Sequence, residues 1–443
     1  MGPRHGDGAT GAGAEWVNWA GDQACRPARV LRPANLDQLC EGIAAETAAG
    51  RRVRVAGSGH SFTEAALTDE TMVRIEALRG VQDADPASGL VRVGAGTILA
   101  DLNRELEALG LAMENLGDID RQTIAGAIST GTHGTGARLG NLSAQVAGME
   151  LVLADGSLRR LDAESDPALL RAARVGVGAL GAICSVTLRC VPAFTLERVD
   201  RPLPREEVLD SFQERADAHD HFELFTFPYA DMALVLERNR HDGPPRPRGR
   251  AAAFLNDIVL ENWALGAIAA TGKALPRAIP ALSRLAGRLA VGGRTVDRSF
   301  RVFANERRVR FTEMEYAIPR EHGPEAVRRV IEWVRSNRYP VFFPIEVRVA
   351  AGDDASLSPA HGRDTAYVAV HQYRGMEWRP YFEAVEEIMG FYGGRPHWGK
   401  RHFQTAATLA PRYPAWEEFR RARDELDPGR AFTNAYAERV LGP

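Results

Sequence analysis

The residues best suited to chemistry begin with the run Val53 to Phe62, VRVAGSGHSF, where a strand-like alternation of Val53, Arg54 and Val55 meets Gly57-Ser58-Gly59 and delivers His60 and Ser61. Two glycines around a serine let the backbone reach positive φ and press close to a bulky anion, so its N–H groups can cradle a diphosphate without a cationic side chain. A histidine fixed beside such a loop has one special use, as a nitrogen nucleophile toward the group the loop holds. Taken alone, the decapeptide fits a surface turn somewhat better, so the rest of the chain has to decide. Three later runs carry further reactive groups. In PIEVRV, Pro344 to Val349, alternation puts Glu346 and Arg348 on one strand face. In YVAVHQY, Tyr367 to Tyr373, it puts Ala369, His371 and Tyr373 together, and in RPHWGKRH, Arg395 to His402, His397 and Lys400 crowd around Gly399. Separately none is specific: a solvent-facing Glu–Arg pair contributes little, and a lone strand histidine is more often structural.

A second informative stretch is Glu114 to Gly136, ENLGDIDRQTIAGAISTGTHGTG, nearly all Gly, Ala, Ser and Thr from Gly126 onward except His133. Bare backbone and small hydroxyls at that density suit a wall pressed against a flat or extended ligand. A flexible linker would not carry Ile124 and Ile128 or run straight into a strand.

The elements that must position these groups alternate. A helix is expected from about Asn35, its cap, to Ala49, with Leu36, Leu39, Ile43 and Ala44 buried, followed by the VRVAG strand. Strands over 72–75 and 90–93, a helix over 98–109 and a strand over 146–154 come next. The run GVGALG, Gly176 to Gly181, satisfies G-x-G-x-x-G, but a helix (167–174) precedes it and a strand (182–191) succeeds it. That order is the reverse of a dinucleotide fingerprint and argues against a nicotinamide site. The texture changes near Phe194, where a second domain is expected to begin. Residues 243–250 read as a mobile loop, and 251–292 as amphipathic helix with Arg277, Arg284 and Arg288 on its polar side. No internal repeat is visible.

With 443 residues, 45% hydrophobic and 26% charged, the chain has room for two or three domains around a large core. A net charge of -3 gives no footprint for nucleic acid or an anionic membrane, so small-molecule partners are expected. Cys25, Cys40, Cys184 and Cys190 show neither a CxxC pair nor zinc spacing; they read as reduced and no metal is expected, in keeping with a cytoplasmic location. The first fourteen residues read as a frayed tail and not a signal peptide. The least polar stretch, Asn262 to Gly272, is too short to span a bilayer.

In order, GSGHSF, ENLGD with AGAISTGTHGTG, EVR, HWGK and FTNAYAERVLG make the chain resemble the sugar-1,4-lactone oxidase and dehydrogenase family of flavoproteins, which includes gulonolactone and arabinonolactone oxidases. It is also similar to the related alditol oxidases, all of the vanillyl-alcohol-oxidase (PCMH) type of FAD fold. The resemblance runs from Trp16 to Pro443 and is weakest over about 240–295. It implies an α+β protein with a two-subdomain FAD domain at 15–195, a substrate or cap domain with a helix-flanked antiparallel sheet at 196–420, and a C-terminal segment, 421–443, returning to the FAD domain. FAD is the implied cofactor, bonded through His60 and wrapped by Val55, Ala56, Gly57, Ser58, Gly59 and Ser61. Further implied contacts are Asp118, Thr123, Gly126, Thr130, Gly131, Thr132, His133, Ile183 and His397.

The implied catalytic set is Glu346, Arg348 and Lys400, with Lys400 and His371 both candidates for taking the substrate hydroxyl proton. Cations placed where negative charge develops on the substrate oxygen and the flavin would stabilise it. Alditol oxidases tend to carry serine at the position of Asp118 and threonine at that of His371, so the resemblance favours a lactone over an open-chain polyol. Gly117, where small side chains are thought to admit oxygen to the flavin, permits an oxidase without requiring one. The expected activity is oxidation of an L-gulono- or D-arabinono-type 1,4-lactone at the C2 hydroxyl, with oxygen or a cytochrome or dye as acceptor. The alternatives are an alditol oxidase and a non-catalytic flavin- or sugar-binding protein.

Overall fold

The computed structural model describes residues 14–247, 265–289, 292–304 and 309–443. All but the last residue of the expected tail, the end of the expected loop at 248–250, and 251–264 and 290–291 of the expected helical stretch therefore lie outside the described residues, as does the side chain of Arg288. Beyond 264 the chain is helical over Leu265–Ala274 and Ile279–Leu289, with Arg277 and Arg284 exposed.

Asn35 caps the helix Leu36–Ala48, its side-chain oxygen accepting the Gln38 N–H at 3.0 Å, while Leu39 and Ile43, one turn apart, enter the core. The chain then forms the strand Val53–Ala56, parallel to Thr71–Arg74, which is in turn parallel to Arg29–Leu31. The next layer is a five-stranded antiparallel sheet, in the spatial order Leu158–Asp162, Val146–Val152, Ala182–Arg189, Leu90–Gly94, Val81–Asp85. Val53 and Val73 from the first sheet and Val93, Leu151 and Val186 from the second share one core. The helix Pro167–Arg174 lies before GVGALG and the strand Ala182–Arg189 after it, in the order that argues against a nicotinamide fingerprint.

The C-terminal segment completes this unit. Val53 N–H donates to the Ala431 carbonyl at 2.8 Å, and Asn434 Nδ2 donates to the carbonyls of Glu64 at 2.9 Å and Leu67 at 2.8 Å. The same core takes in Trp398, Leu409, Tyr413 and Trp416, so the return begins upstream of the expected boundary at 421. Trp398 and Tyr413 stack with centroids 5.5 Å apart, and burying rings of that size against the first unit fixes the whole stretch there.

The second unit is an eight-stranded antiparallel sheet in the order Gly293–Arg298, Thr195–Pro204, Met232–His241, His221–Thr226, Ile345–Ala350, Thr365–Tyr373, Phe311–Pro319, Arg395–Pro396. Strand period two sorts its central strands into two faces. Leu224, Val347, Val368, Val370, Met314 and Tyr316 pack with the buried sides of helices Gly323–Ser336 and Arg379–Phe391, each fully buried aliphatic contributing about 1.5–3 kcal/mol. The opposite face carries Glu223, Glu346, Arg348, Tyr367, His371, Glu313 and Glu315. Register brings Glu223 opposite Arg348, Arg348 opposite Tyr367, and Glu313 opposite His371.

Candidate active site

Two adjoining clefts lie along this charged face and the loops of the first unit. One, with about 840 Å³ of empty space, is lined by Val55, Gly57, Ser58, Gly59, His60 and Ser61, faced by Thr123, Gly126 and Thr130, and closed by Val177, Gly178, Gly181 and Ile183. The loop is fixed from several sides. Thr123 N–H donates to Ser58 Oγ at 3.2 Å, Trp19 N–H to the Gly59 carbonyl at 2.7 Å, and Asn18 Nδ2 to the Ser61 carbonyl at 3.0 Å. Its glycines are sterically required: a Cβ on Gly57 would lie 2.4 Å from Thr123 Oγ1, and Gly59 sits at φ +73° with Trp16 packed against it. A bare-backbone cradle of this kind fits an extended dinucleotide with a diphosphate at its centre. Two buried polar atoms without partners among the described residues, Gln122 Oε1 and Arg54 Nε, belong to side chains in the same lining.

His60 joins the two clefts. Its ring stacks on Trp19 at 5.7 Å. Burial, reinforced by Arg310, Lys400 and Arg121, pulls its pKa down to about 4, which leaves the imidazole neutral with a free lone pair at neutral pH.

The second cleft holds the charged groups. Arg348 Nε lies 3.0 Å from Glu223 Oε2 and an Arg348 terminal nitrogen 3.2 Å from Asp118 Oδ1, while a further ion pair joins Arg348 to Glu346. Glu223 is shared with Arg238 at 2.7 Å. Burial favours its neutral form, but Arg238 and Arg348 outweigh that and hold its pKa down at about 2. Burial likewise opposes charge on Arg348, and Glu346, Asp118 and Glu223 overcome it, keeping the guanidinium firmly ionised. Lys400 ion-pairs with Glu313; burial disfavours its ammonium, yet Glu313 and Glu315 raise its pKa. His371 Nδ1 lies 3.2 Å from the Pro344 carbonyl, leaving Nε2 turned toward Glu313 at 3.5 Å and Glu346 at 3.9 Å. The loop bearing Lys400 is pinned to the strand Phe311–Pro319, because His397 N–H donates to the Glu315 carbonyl at 3.0 Å and Arg401 N–H to that of Glu313 at 2.9 Å.

His133, Glu315 and His397 bring their ligand atoms within 4.8 Å of one another, as a metal site would. Each histidine also has hydrogen-bond partners within the protein. His133 Nδ1 lies 2.8 Å from the Gly134 carbonyl and Nε2 3.0 Å from Glu315 Oε1, so both nitrogens face oxygen acceptors. His397 Nδ1 accepts the Gly399 N–H at 3.0 Å, which places the proton of the neutral ring on Nε2.

Of the residues singled out from sequence, Thr132, His133, Asp118, Glu346, Arg348, His371, His397 and Lys400 line the second cleft together with Thr130, His60 and Ser61. Ala56 and Gly131 line neither. Ala56 is buried in the strand Val53–Ala56, and Gly131, at φ +72°, packs on Pro359. Sequence reasoning missed Glu223, Glu313, Glu315, Gln122 and Arg54. An acid at every second position of FTEMEYAIP was a readable sign of a charged strand face; Glu223 is identified only by its register with Arg348.

A bare-backbone cleft under an antiparallel cap sheet whose charged face closes over its end has the form that an FAD flavoprotein needs. An FAD binding domain model matches residues 27–162, and a D-arabinono-1,4-lactone oxidase model matches residues 186–440. The chain belongs to the D-arabinono-1,4-lactone oxidase family. It is 50% identical over 428 residues to the L-gulono-1,4-lactone dehydrogenase of Mycobacterium tuberculosis, covering 97% of this chain and 99% of that one. It is 33% identical to the L-gulonolactone oxidase of Bos taurus, covering 97% and 98%. Among solved structures, a solvent-stable cholesterol oxidase superposes with a TM-score of 0.83 at 19% identity, over 98% of each chain, and shares the fold. Among the described residues no helix is long and apolar enough to cross a membrane.

Proposed function

We propose that the protein oxidises an aldono-1,4-lactone of the L-gulono or D-arabinono type at its C2 hydroxyl, giving a 2-keto lactone that can enolise to an enediol. The observation that carries this reading is the shared strand face on which Arg348 meets Glu346 and reaches Asp118, beside the Lys400–Glu313 pair and His371. Carboxylates of Glu346 and Asp118 can accept hydrogen bonds from neighbouring ring hydroxyls, and Arg348 can donate to a lactone carbonyl. FAD, when bound, supplies the acceptor for the two electrons and the hydrogen of the carbinol C–H.

Lys400 and Arg348 are held charged, so they act by stabilising the negative charge that develops as the hydroxyl loses its proton. An ammonium kept protonated is a poor base. His371 takes the hydroxyl proton on Nε2, where Glu313 and Glu346 stabilise the imidazolium that forms. His60, neutral and poised between the clefts, would be the residue to hold the flavin covalently through an imidazole nitrogen. A cytoplasmic setting with reduced cysteines belongs to the same proposal, and oxygen or a cytochrome accepts the electrons.

Asp118 and His371 support a lactone over a polyol, because both add charge or a titrating group where an alditol oxidase tends to carry a small hydroxyl. The test is anaerobic reduction of the yellow protein by L-gulono-1,4-lactone and by xylitol, followed at the flavin absorbance maximum. Bleaching by the lactone alone is expected, and the rate of recolouring in air then separates oxidase from dehydrogenase. Bleaching by xylitol alone would make it an alditol oxidase, and no bleaching by either would leave a flavin-binding protein.

A further inference from the structure

Arg54 has an unusual set of partners for a buried cation. It is 3% exposed in the strand Val53–Ala56, and four of its five N–H donors go to backbone carbonyls. One terminal nitrogen donates to Gly178 at 3.0 Å and Phe432 at 2.7 Å; the other donates to Val177 at 3.1 Å and to Ala65. The fifth donor, Nε, is buried with no partner among the described residues. These carbonyls come from three separate places: the turn after the diphosphate-type loop, the GVGALG run, and the C-terminal return.

Arg54 makes no ion pair among the described residues. The charged groups that act on it are Arg423 and, more weakly, Asp427, and Asp427 already accepts the N–H groups of Ala431 at 2.8 Å and Phe432 at 3.0 Å. The guanidinium thus sits in a dry setting with no carboxylate in contact, and burial and Arg423 pull its pKa down to about 10. Carbonyl dipoles soften that cost without supplying a counter-charge. The side chain is part of the lining of the first cleft, between Val55 and Ala65.

We propose that Arg54 is a positioning residue whose missing counter-charge is the diphosphate of the FAD, and that diphosphate entry, by compensating it, tightens the C-terminal return against the cleft. Cofactor loading and docking of residues 431–434 are then one coupled equilibrium, with the guanidinium fork as the mechanical link. The Gly57–Ser61 loop holds the anion by backbone N–H groups, and Arg54 supplies the field behind it.

The experiment uses the full chain in a His60→Ala background, so that flavin can be stripped and reloaded. In that background Arg54→Met is expected to weaken FAD binding about thirtyfold, the order of one charge contact screened by an effective dielectric of about 20, while riboflavin binding changes by less than about twofold. Arg54→Lys retains charge without the fork and is expected to stay within about fivefold for FAD. Undiminished FAD affinity in Arg54→Met, or an equal loss for FAD and riboflavin, overturns the proposal. Where Arg54→Met does not fold, hydrogen exchange of the Phe432–Asn434 amides in the Arg54 protein decides. FAD is expected to slow that exchange at least about tenfold; exchange unchanged by FAD overturns the coupling.

Discussion

Glu313→Gln is the sharpest perturbation of the charged cleft, because it changes one atom in the ion-pair partner of Lys400, the cation proposed to stabilise the developing negative charge. Lys400 sits between opposing influences: burial, which favours a neutral amine, and Glu313 with Glu315, which favour the ammonium. The ion pair with Glu313 is a direct contact, and Glu313 is the first of the groups that raise the Lys400 pKa against burial. Glutamine keeps a hydrogen-bond acceptor but removes that charge, so the Lys400 pKa is expected to fall, with Glu315 still supporting the ammonium. The sign is set by the folded-state pKa being raised: the variant loses the ammonium at lower pH than the parent does. The assay is the rate constant for anaerobic flavin bleaching by L-gulono-1,4-lactone, measured by rapid mixing from pH 6 to about 9.5 so that lactone hydrolysis does not intrude. An alkaline decline that sets in at lower pH in the variant than in the parent is expected. A variant whose alkaline limb coincides with the parent's would refute the role of Lys400 as a charge-stabilising cation. A rise on the alkaline side would make Lys400 the base and remove His371 from that role.

The remaining expectations concern other parts of the site. Acid-precipitated parent protein is expected to retain its yellow colour and His60→Ala to release FAD into the supernatant; complete release from the parent would rule out the bond. Arg348→Met strands Glu346, Glu223 and Asp118 around a missing cation, so lactone-dependent bleaching should slow by about 10²–10³ and the fold should lose about 3–5 kcal/mol, read by substrate kinetics and urea titration. Stability should fall on acidification in two stages. His221, His397 and His402 are buried with pKa values lowered to about 4, 3 and 3, so the unfolded chain binds their protons first. Each costs about 1.4 kcal/mol per pH unit below about 6.5 until its folded pKa is reached. Glu223, depressed to about 2, adds its loss below about pH 4.3. Melting temperatures unchanged between pH 7 and 5 would contradict the neutral burial of these histidines.

What could be read from sequence and what could not divide along physical lines. The loop Gly57–Ser61 was legible as part of a cleft wall because consecutive residues line it, and the pairing of Glu346 with Arg348 because strand period two settles it within one strand. The reversed order around GVGALG was legible for the same reason, since flanking periodicity is local. Glu223 and Glu313 were not, because their roles arise from cross-strand register with Arg348 and His371, residues 125 and 58 positions away along the chain. Arg54 reads as the outward member of an alternating strand, and only the three segments that converge on it explain its burial. The return to the first unit starts well before 421 because the stacked Trp398 and Tyr413 draw it there, in a stretch whose local texture continues that of the cap.

The two-faced cap sheet has a consequence for how this molecule can change over time. Every residue that faces the cleft on the strands Phe311–Pro319 and Ile345–Ala350 is separated from its fellows by one that packs against the helices behind. Odd and even positions answer to different demands, so a lineage can redraw which hydroxyls and carbonyls the cleft accepts by replacing alternate residues while the intervening ones hold the layer together. New substrates are reachable by short mutational paths that leave the scaffold's stability nearly untouched, provided the charge total on the exposed side is kept in balance.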